Sequence, residues 1–449
     1  MKVKVLNRSE TECTRQRAGD FPRVHRNHDP KLHPFERARE YTRALNAAKL
    51  DRVFAKPFVS AFEHAEGVTC LARNSKRLNC VLSGTHDGTI HLWDIPGKRC
   101  LRKLVGHKGT ATGVAVTEDG EGCISCSSDC TVKLWKVPAA PFEGGPLVQD
   151  STPVLEFQGS HAYKGCDHHW DKKMFATCGA GVSIWSHDRM APIKTFEMGS
   201  DSVSSVRFNP VEPDLLGSAG YDRSVMLYDL RTNTTLRKLV MQTRCNALSW
   251  NPMEAMNFTV ANEDCNLYTF DMRNFKKAKT VHKGFVSSVM DVDYSPTGQE
   301  FVAGSYDRTL RIFESDGWGS RDVYFGERMQ RVFSVRFSGD ASYVFSGSDD
   351  MNLRVWKAKA SEQLGVVLPN EAKKHTYNEA LIKRFKHTKE VGSIHRNRKI
   401  PGPILRANKL RRVIQAADNK KLENRIKHSK PGTVKRVSER KKKIVAELE

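Results

Sequence analysis

Three cysteines stand close together at Cys123, Cys126 and Cys130, the first two in a Cys-x-x-Cys spacing. Thiolates so spaced bind zinc, but a closed zinc site needs four ligands, and no second Cys-x-x-Cys accompanies this one. The surrounding residues read as a strand that turns at Asp129, so core thiols are expected. A second group, His161, Cys166, His168 and His169 in GSHAYKGCDHHW, offers imidazoles and a thiol on one apparent loop. Its spacing fits no fixed ligand pattern, and turn or packing roles are expected. No Walker phosphate loop, HExxH, GxSxG or Gly-rich dinucleotide turn is present. No catalytic residue, metal site or cofactor is therefore expected, and the chain reads as non-enzymatic.

A different chemistry lies where an aromatic residue precedes Asp, a spacer and Arg. Tyr228, Asp229 and Arg231 close VMLYDLR; Phe270, Asp271 and Arg273 close NLYTFDMR, 42 residues later. A guanidinium fork grips a carboxylate or carbonyl through two parallel hydrogen bonds. Alternation along a strand puts the Asp and Arg of each group on one side. Two forks side by side would make a protein-docking rim. Pairing of each Arg with a neighbouring blade is the competing use.

The 42-residue step belongs to a period. Strands ending in an aromatic residue close at Trp93, Trp135, Trp185, Tyr228, Phe270, Phe313 and Trp356, in steps of 42, 50, 43, 42, 43 and 43 residues. Six residues before each end stands an acid: Asp87, Asp129, Asp222, Asp264, Asp307 and Asp350, with Gly179 in the third unit. Small residues precede the acids, as in SGTHDGT and AGSYDRT, and mark tight turns. Seven such units resemble the WD-repeat family, although Trp-Asp survives only at Trp93–Asp94 and Gly-His only at Gly106–His107. The resemblance implies an all-β fold, a seven-bladed WD-repeat β-propeller, with the repeating acids holding turns against histidines. The last unit lacks an outer strand, and residues 57–63 are expected to supply it and close the ring.

Charge separates the ring from its ends. Residues 1–54 hold 13 Lys+Arg against 7 Asp+Glu, 55–356 hold 34 against 35, and 357–449 hold 26 against 9. This division predicts a basic N-terminal extension, a neutral propeller and a basic, α-helical C-terminal tail. Within the first, a helix is expected from about Glu36 to Lys49. In the tail, one helix is expected from about 361 to 399, a break at KIPGPI, a second helix to about 430, then a turn and a basic run. A long Pro- and Gly-rich insertion, PAAPFEGGPLVQDSTPV, reads as a surface loop. The tail's Lys383, Arg384, Lys386, Arg396, Arg398, Lys399, Lys409, Arg411, Arg412, Lys420, Lys421, Arg425, Lys427 and Lys430 are candidate RNA or ribonucleoprotein contacts, since clustered cations release counterions from phosphates. KRVSERKKK also fits a nuclear import signal. Hydrophobic residues are 39 % of the chain and mean hydropathy is −0.53. No apolar run of about 18 residues or signal-peptide core is seen, so a reducing compartment, free thiols and no membrane contact are expected.

Two narrower resemblances follow. The Tyr228–Arg231 and Phe270–Arg273 groups are similar to the W-D-x-R boxes of propeller receptors for cullin–RING ubiquitin ligases, with Tyr and Phe in place of Trp. There the boxes face the propeller adaptor, which implies that role for both groups here. Nearly end to end, the chain resembles the WD repeat and SOF domain-containing family, through NHDPKLHPFERAREYTRALNAAKLDRVFAKPF, CDHHW, WNPMEAMNFTVANEDCNLYTFDMR, DVDYSPTG and NRIKHSKPGTV. That resemblance implies a nucleolar scaffold of the small-subunit processome, associated with the box C/D small nucleolar ribonucleoprotein, pre-rRNA and other processome proteins. No small-molecule substrate is expected. It also implies, for animal members, a ligase-receptor role.

Overall fold

The computed structural model describes residues 29–137, 148–150, 152–197 and 202–448. Each repeat unit folds into its own antiparallel sheet, and the described residues contain seven such sheets. The aromatic-ended segments are third strands of their blades: Ile90–Asp94, Thr131–Lys136, Gly181–Ser186, Ser224–Asp229, Leu267–Asp271, Leu310–Glu314 and Asn352–Lys357. Their terminal rings fill the space between blades. Tyr228, Phe270 and Phe313 are wholly buried. Blade seven takes its fourth strand from Phe58–Glu63, which pairs antiparallel with Asn352–Lys357. The chain's two distant segments thus lock the ring.

The recurring acid has a local cause. The residue after it is left-handed at Cys130, Arg223, Cys265, Arg308 and Met351, with φ between 64° and 68°. Such turns need their main-chain amides satisfied. Asp129 accepts from the amide of Thr131 at 2.9 Å, Asp222 from Ser224 at 3.0 Å, Asp264 from Asn266 at 3.1 Å and Asp307 from Thr309 at 3.0 Å. A direct histidine partner is seen at Asp129 alone among these acids, whose Oδ2 lies 3.1 Å from His107 Nδ1. His107 Nε2 meets Ser125 Oγ at 2.7 Å, and Trp135 Nε1 donates to the same hydroxyl at 2.9 Å. Asp87 departs from the expectation: it is exposed, and His64 meets Ser83 at 2.7 Å instead. Asp350 holds Arg354 four residues on, at 3.0 Å.

The cysteine spacing has a packing explanation. Cys123 and Cys126, three apart on Gly122–Ser127, point to opposite faces of their blade. One joins Leu82, Leu92 and Trp135; the other joins Phe157, Phe175 and Trp185. They cannot converge on one ion. Burial pushes the Cys123 thiol up to about 12, and the described cysteines are free thiols.

The chain outside the ring does not stay in two separate arms. Among the described residues, one compact unit comprises those of 29–57 and 359–398; the other comprises those of 58–358 and 399–448. In the first, α1 (Glu36–Val53) packs through Ala44, Ala47 and Ala48 against Leu381, Ile382 and Val391. These come from α2 (Pro369–Phe385) and α3 (Lys389–Arg396). Small residues on α1 let the helices approach closely. Tyr41 donates to Glu390 at 2.8 Å, and Arg384 to Glu40 at 2.7 Å. The single long helix expected before the KIPGPI break is instead two. It starts only at Pro369, after Gly365 at φ 96°, and is interrupted at Lys386–Thr388.

In the second unit, α4 (Gly402–His428) begins before Pro403. Proline in a first turn lacks only an amide that has no intrahelical partner anyway, so it starts this helix and does not delay it. After α5 (Glu439–Lys442), Ile444–Leu448 pairs antiparallel with Thr234–Met241 as a fifth strand on blade four. The expected basic run at the chain end is therefore partly strand. Residues 138–147 of the insertion lie outside the described residues. Val148–Asp150 beyond them pairs parallel with Arg99–Leu104.

Candidate protein and RNA contact surfaces

The two aromatic-Asp-x-Arg groups occupy equivalent positions on adjacent blades. Inner strands Val203–Phe208 and Cys245–Trp250 are neighbours, joined by Ser204 Oγ donating to the Cys245 carbonyl at 2.7 Å. Past each aromatic residue the chain turns in the same way. Asp229 Oδ1 accepts the Arg231 amide at 2.8 Å, and Asp271 Oδ1 accepts the Arg273 amide at 3.0 Å. Each loop is pinned to the loop after its blade's first strand: the Leu230 amide donates to the Asp214 carbonyl at 2.8 Å, and the Met272 amide to Met256 at 2.9 Å. The acids therefore build the turns, and the arginines are carried out to solvent.

The two arginines differ in detail. Arg273 folds back on its own Asp271, with Nε 3.0 Å from Oδ1 and Nη2 2.8 Å from Oδ2. That bidentate bond holds the Asp271 carboxyl below the usual carboxylate range. The Arg273 side chain is nevertheless 71 % exposed, and Arg231 is exposed as well. Alternation alone did not foresee the internal fork.

A further element stands beside the second group. Arg237 Nη1 donates to the Arg273 carbonyl at 3.0 Å and lies 3.4 Å from Glu447 Oε1 on the C-terminal strand. Neither Arg237 nor Glu447 was singled out from the sequence. The alternating Ile444, Ala446 and Leu448 were the available signal, masked by the lysines before them.

The ring's first strands hold polar groups that sequence reasoning also passed over. Asp167 meets Arg207 at 3.2 Å, Asp291 meets Arg336 at 2.8 Å and Asp293 lies 3.6 Å from Arg73. They line or adjoin a cavity of about 240 Å³ with Trp170, Trp250 and Tyr294. The same acids accept main-chain amides from the next blade: Phe208 on Asp167 at 2.8 Å, Val335 on Asp291 at 3.0 Å, Phe337 on Asp293 at 2.8 Å. Buried carboxylates so satisfied staple neighbouring inner strands. The alternation in SVRF, DVDY and SVRF was their trace in the sequence.

The histidine cluster does not converge. His169 accepts the amides of Asp171 and Lys172 at Nδ1 (3.0 and 2.9 Å) and donates from Nε2 to the Pro213 carbonyl at 2.9 Å. It is a loop brace between blades three and four. His168 Nε2 lies 3.1 Å from His187 Nε2, and burial lowers its pKa to about 4. Cys166 faces the core and His161 is exposed. Among the described residues no group of three or more His, Cys, Asp or Glu is arranged to hold a metal ion.

The candidate cations of the tail fall in both units. Lys383, Arg384, Lys386, Arg396, Arg398 and Lys399 lie on or beside α2 and α3; Lys409, Arg411, Arg412, Lys420, Lys421, Arg425, Lys427 and Lys430 lie on or beyond α4. All are exposed except Arg398 and Arg411. Arg411 is turned inward: Nη1 donates to the Phe285 carbonyl and Nη2 to that of Asp264, both at 3.0 Å. Asn408 donates to the Gly284 carbonyl at 3.3 Å. Gly284 sits at φ 149°, and a Cβ there would stand 2.5 Å from Arg311 Nη1. Arg411 thus anchors α4 to blades five and six, with both terminal nitrogens bonded to ring carbonyls.

Comparison with known proteins agrees with this architecture. The WD domain, G-beta repeat family matches residues 56–94, 98–136, 190–229, 276–314 and 322–357. The Sof1-like domain matches residues 358–444. The chain is 46 % identical to DDB1- and CUL4-associated factor 13 of Danio rerio over 450 residues, covering all of both chains. Identity to the Homo sapiens protein of that name is 46 % over 447 residues, 99 % of each chain. Identity to Protein SOF1 of Saccharomyces cerevisiae is 40 % over 464 residues, covering 99 % of this chain and 94 % of that one. A propeller carrying a Sof1-like extension, alike over essentially its whole length, places this chain in the WD-repeat family of DDB1- and CUL4-associated factor 13 and Protein SOF1.

Proposed function

We propose that this protein is a non-enzymatic nucleolar scaffold of the small-subunit processome. Its basic helices contact pre-rRNA and the small nucleolar ribonucleoprotein, and its ring docks other processome proteins. One observation supports this most strongly: twelve of the fourteen candidate tail cations stand exposed, while the charges of residues 55–356 nearly cancel. A compact neutral body with solvated cations is suited to phosphate contact. Depletion of the protein should stall small-subunit rRNA maturation while large-subunit processing continues; normal levels of both subunits after full depletion would refute it. Within this reading Arg411 positions α4, and the other cations are the RNA or ribonucleoprotein contacts.

A second reading, receptor for a cullin–RING ligase, is favoured by the exposed Arg231 and Arg273 on adjacent blades and by the name DDB1- and CUL4-associated factor 13 of several relatives. Tyr228, Asp229, Phe270 and Asp271 build the turns that present them. The double variant Arg231→Ala/Arg273→Ala should lose DDB1 in co-purification while pre-ribosome association persists. No DDB1 with the unsubstituted protein would make both groups purely structural.

A further inference from the structure

Helix α4 is 27 residues long, about 40 Å at 1.5 Å per residue. Its inner side carries Ile404, Asn408 and Arg411, the last two bonded to ring carbonyls. The half-buried Leu422 and Ile426 fall on that same side at 100° per residue. On the opposite side a second apolar stripe runs at i, i+3, i+4 and i+7: Leu410, Val413, Ile414 and Ala417. The first three are 63, 66 and 53 % exposed, and Ala417 is exposed too. The two stripes explain why one amphipathic face fits this sequence poorly.

We propose that the outer stripe of α4 is a docking surface for an acidic amphipathic helix of a partner protein. From Val391 to Ala417 the chain contains no Asp or Glu, while Arg406, Lys409 and Arg412 stand exposed beside the stripe. The surface is therefore apolar along the stripe, positive at its N-terminal end through Arg406 and along one flank through Lys409 and Arg412, which fits apolar anchors at helical spacing with acids on one side. A second copy of this chain would bring the same positive charge and be repelled. The first 28 residues hold seven Lys+Arg against three Asp+Glu and have the wrong sign. RNA would leave four aliphatic side chains against phosphates, with no aromatic ring in the stripe for a base to stack on. Protein docking thus occupies the first half of α4. The cations beyond Asp418 stay free for the RNA contact proposed above, and Lys409 and Arg412 of that set face protein of the ribonucleoprotein and not its RNA.

The test is photo-crosslinking in cells from the full-length chain carrying p-benzoylphenylalanine at Val413. The crosslinked peptide should be protein, net acidic, with apolar residues at three- and four-residue spacing. Nuclease treatment should leave the yield unchanged. Adding Leu410→Lys and Ile414→Lys should cut the yield at least ten-fold, with an unchanged melting curve, since both sites are solvent-exposed. Crosslinks to RNA, to a second copy, to another segment of this chain or to a non-acidic peptide would overturn the proposal, as would no crosslink at all.

Discussion

Tyr228 and Arg231 are three residues apart and do different work. The tyrosine is wholly buried, its hydroxyl 3.1 Å from Ser218 Oγ and its ring 4.7 Å from that of Phe196. Phe270 is equally enclosed, by Phe258 and Phe275. Truncating either leaves a cavity in the inter-blade core, so Tyr228→Ala and Phe270→Ala should each cost about 3–5 kcal/mol. Arg231→Ala and Arg273→Ala remove solvated groups and should stay within about 0.5 kcal/mol. Urea denaturation of the four variants checks this. Equal losses in both pairs would show that the arginines hold the fold and are not presented by it.

Among the elements, two strands borrowed from distant sequence make contrasting predictions. Phe58–Glu63 completes blade seven, and the buried Phe62 stacks on Trp93 with centroids 4.9 Å apart. Deleting it opens the ring and should abolish the single cooperative transition. Ile444–Leu448 only extends blade four, which already has four strands. A chain ending at Lys443 should keep its melting midpoint within a few degrees, yet exchange the amides of Lys238–Met241 faster and self-associate through the bared edge. Similar collapse of both truncations would contradict the distinction. For α4, Arg411→Ala removes two bonds from a charged donor, worth about 1.5–3 kcal/mol each net of the exchange with water. Amide exchange across Gly402–His428 should accelerate in that variant, whereas Arg412→Ala should leave it alone.

These elements also show what the sequence made legible. The aromatic ends, the Asp before each tight turn and the missing outer strand of the last unit are local or periodic signals, and they specify a seven-unit ring. The Asp turns read correctly as turns, but their chemistry proved to be main-chain capping more than histidine pairing. At the candidate site the identity and exposure of Arg231 and Arg273 were legible, because alternation beyond a buried aromatic residue points outward. The Arg273–Asp271 fork depends on a loop path. The inward turn of Arg411 depends on where α4 lands. Pairing of Ile444–Leu448 with Thr234–Met241 joins residues some two hundred apart and has no local mark beyond a short alternation. Long-range placement, not residue chemistry, was what the sequence withheld.

At the scale of the whole molecule, the buried imidazoles make stability depend on pH. Burial lowers His64, His168 and His282 to about 4 and His91 to about 3. In the unfolded chain each titrates near 6.5. A depressed pKa means the folded state resists the proton that the unfolded state accepts. The contribution is therefore complete above about pH 6.5 and is lost as pH falls toward the folded values. Asp291 acts with the opposite sign: burial raises it to about 6, so its folded form gains a proton before its unfolded form does and adds stability as pH drops below that value. Asp167, Asp293 and Asp307 are raised too, again by burial. The interval from pH 7.5 to 6 thus belongs mainly to the histidines, each costing roughly 1 kcal/mol or less by its lower end. The melting temperature should fall across that interval and go on falling below it, since the four imidazoles keep charging in the unfolded chain down to their folded values while Asp291 offsets only one group's share. His282 meets Thr269 Oγ1 at 2.9 Å and is wholly buried. His282→Gln should lower stability at pH 7.5 but reduce the pH slope by one group's share. Thermal melts of both proteins at half-unit steps decide it: a slope that is level, or that rises with acid between pH 7.5 and 6, would mean these imidazoles are not held neutral by the ring.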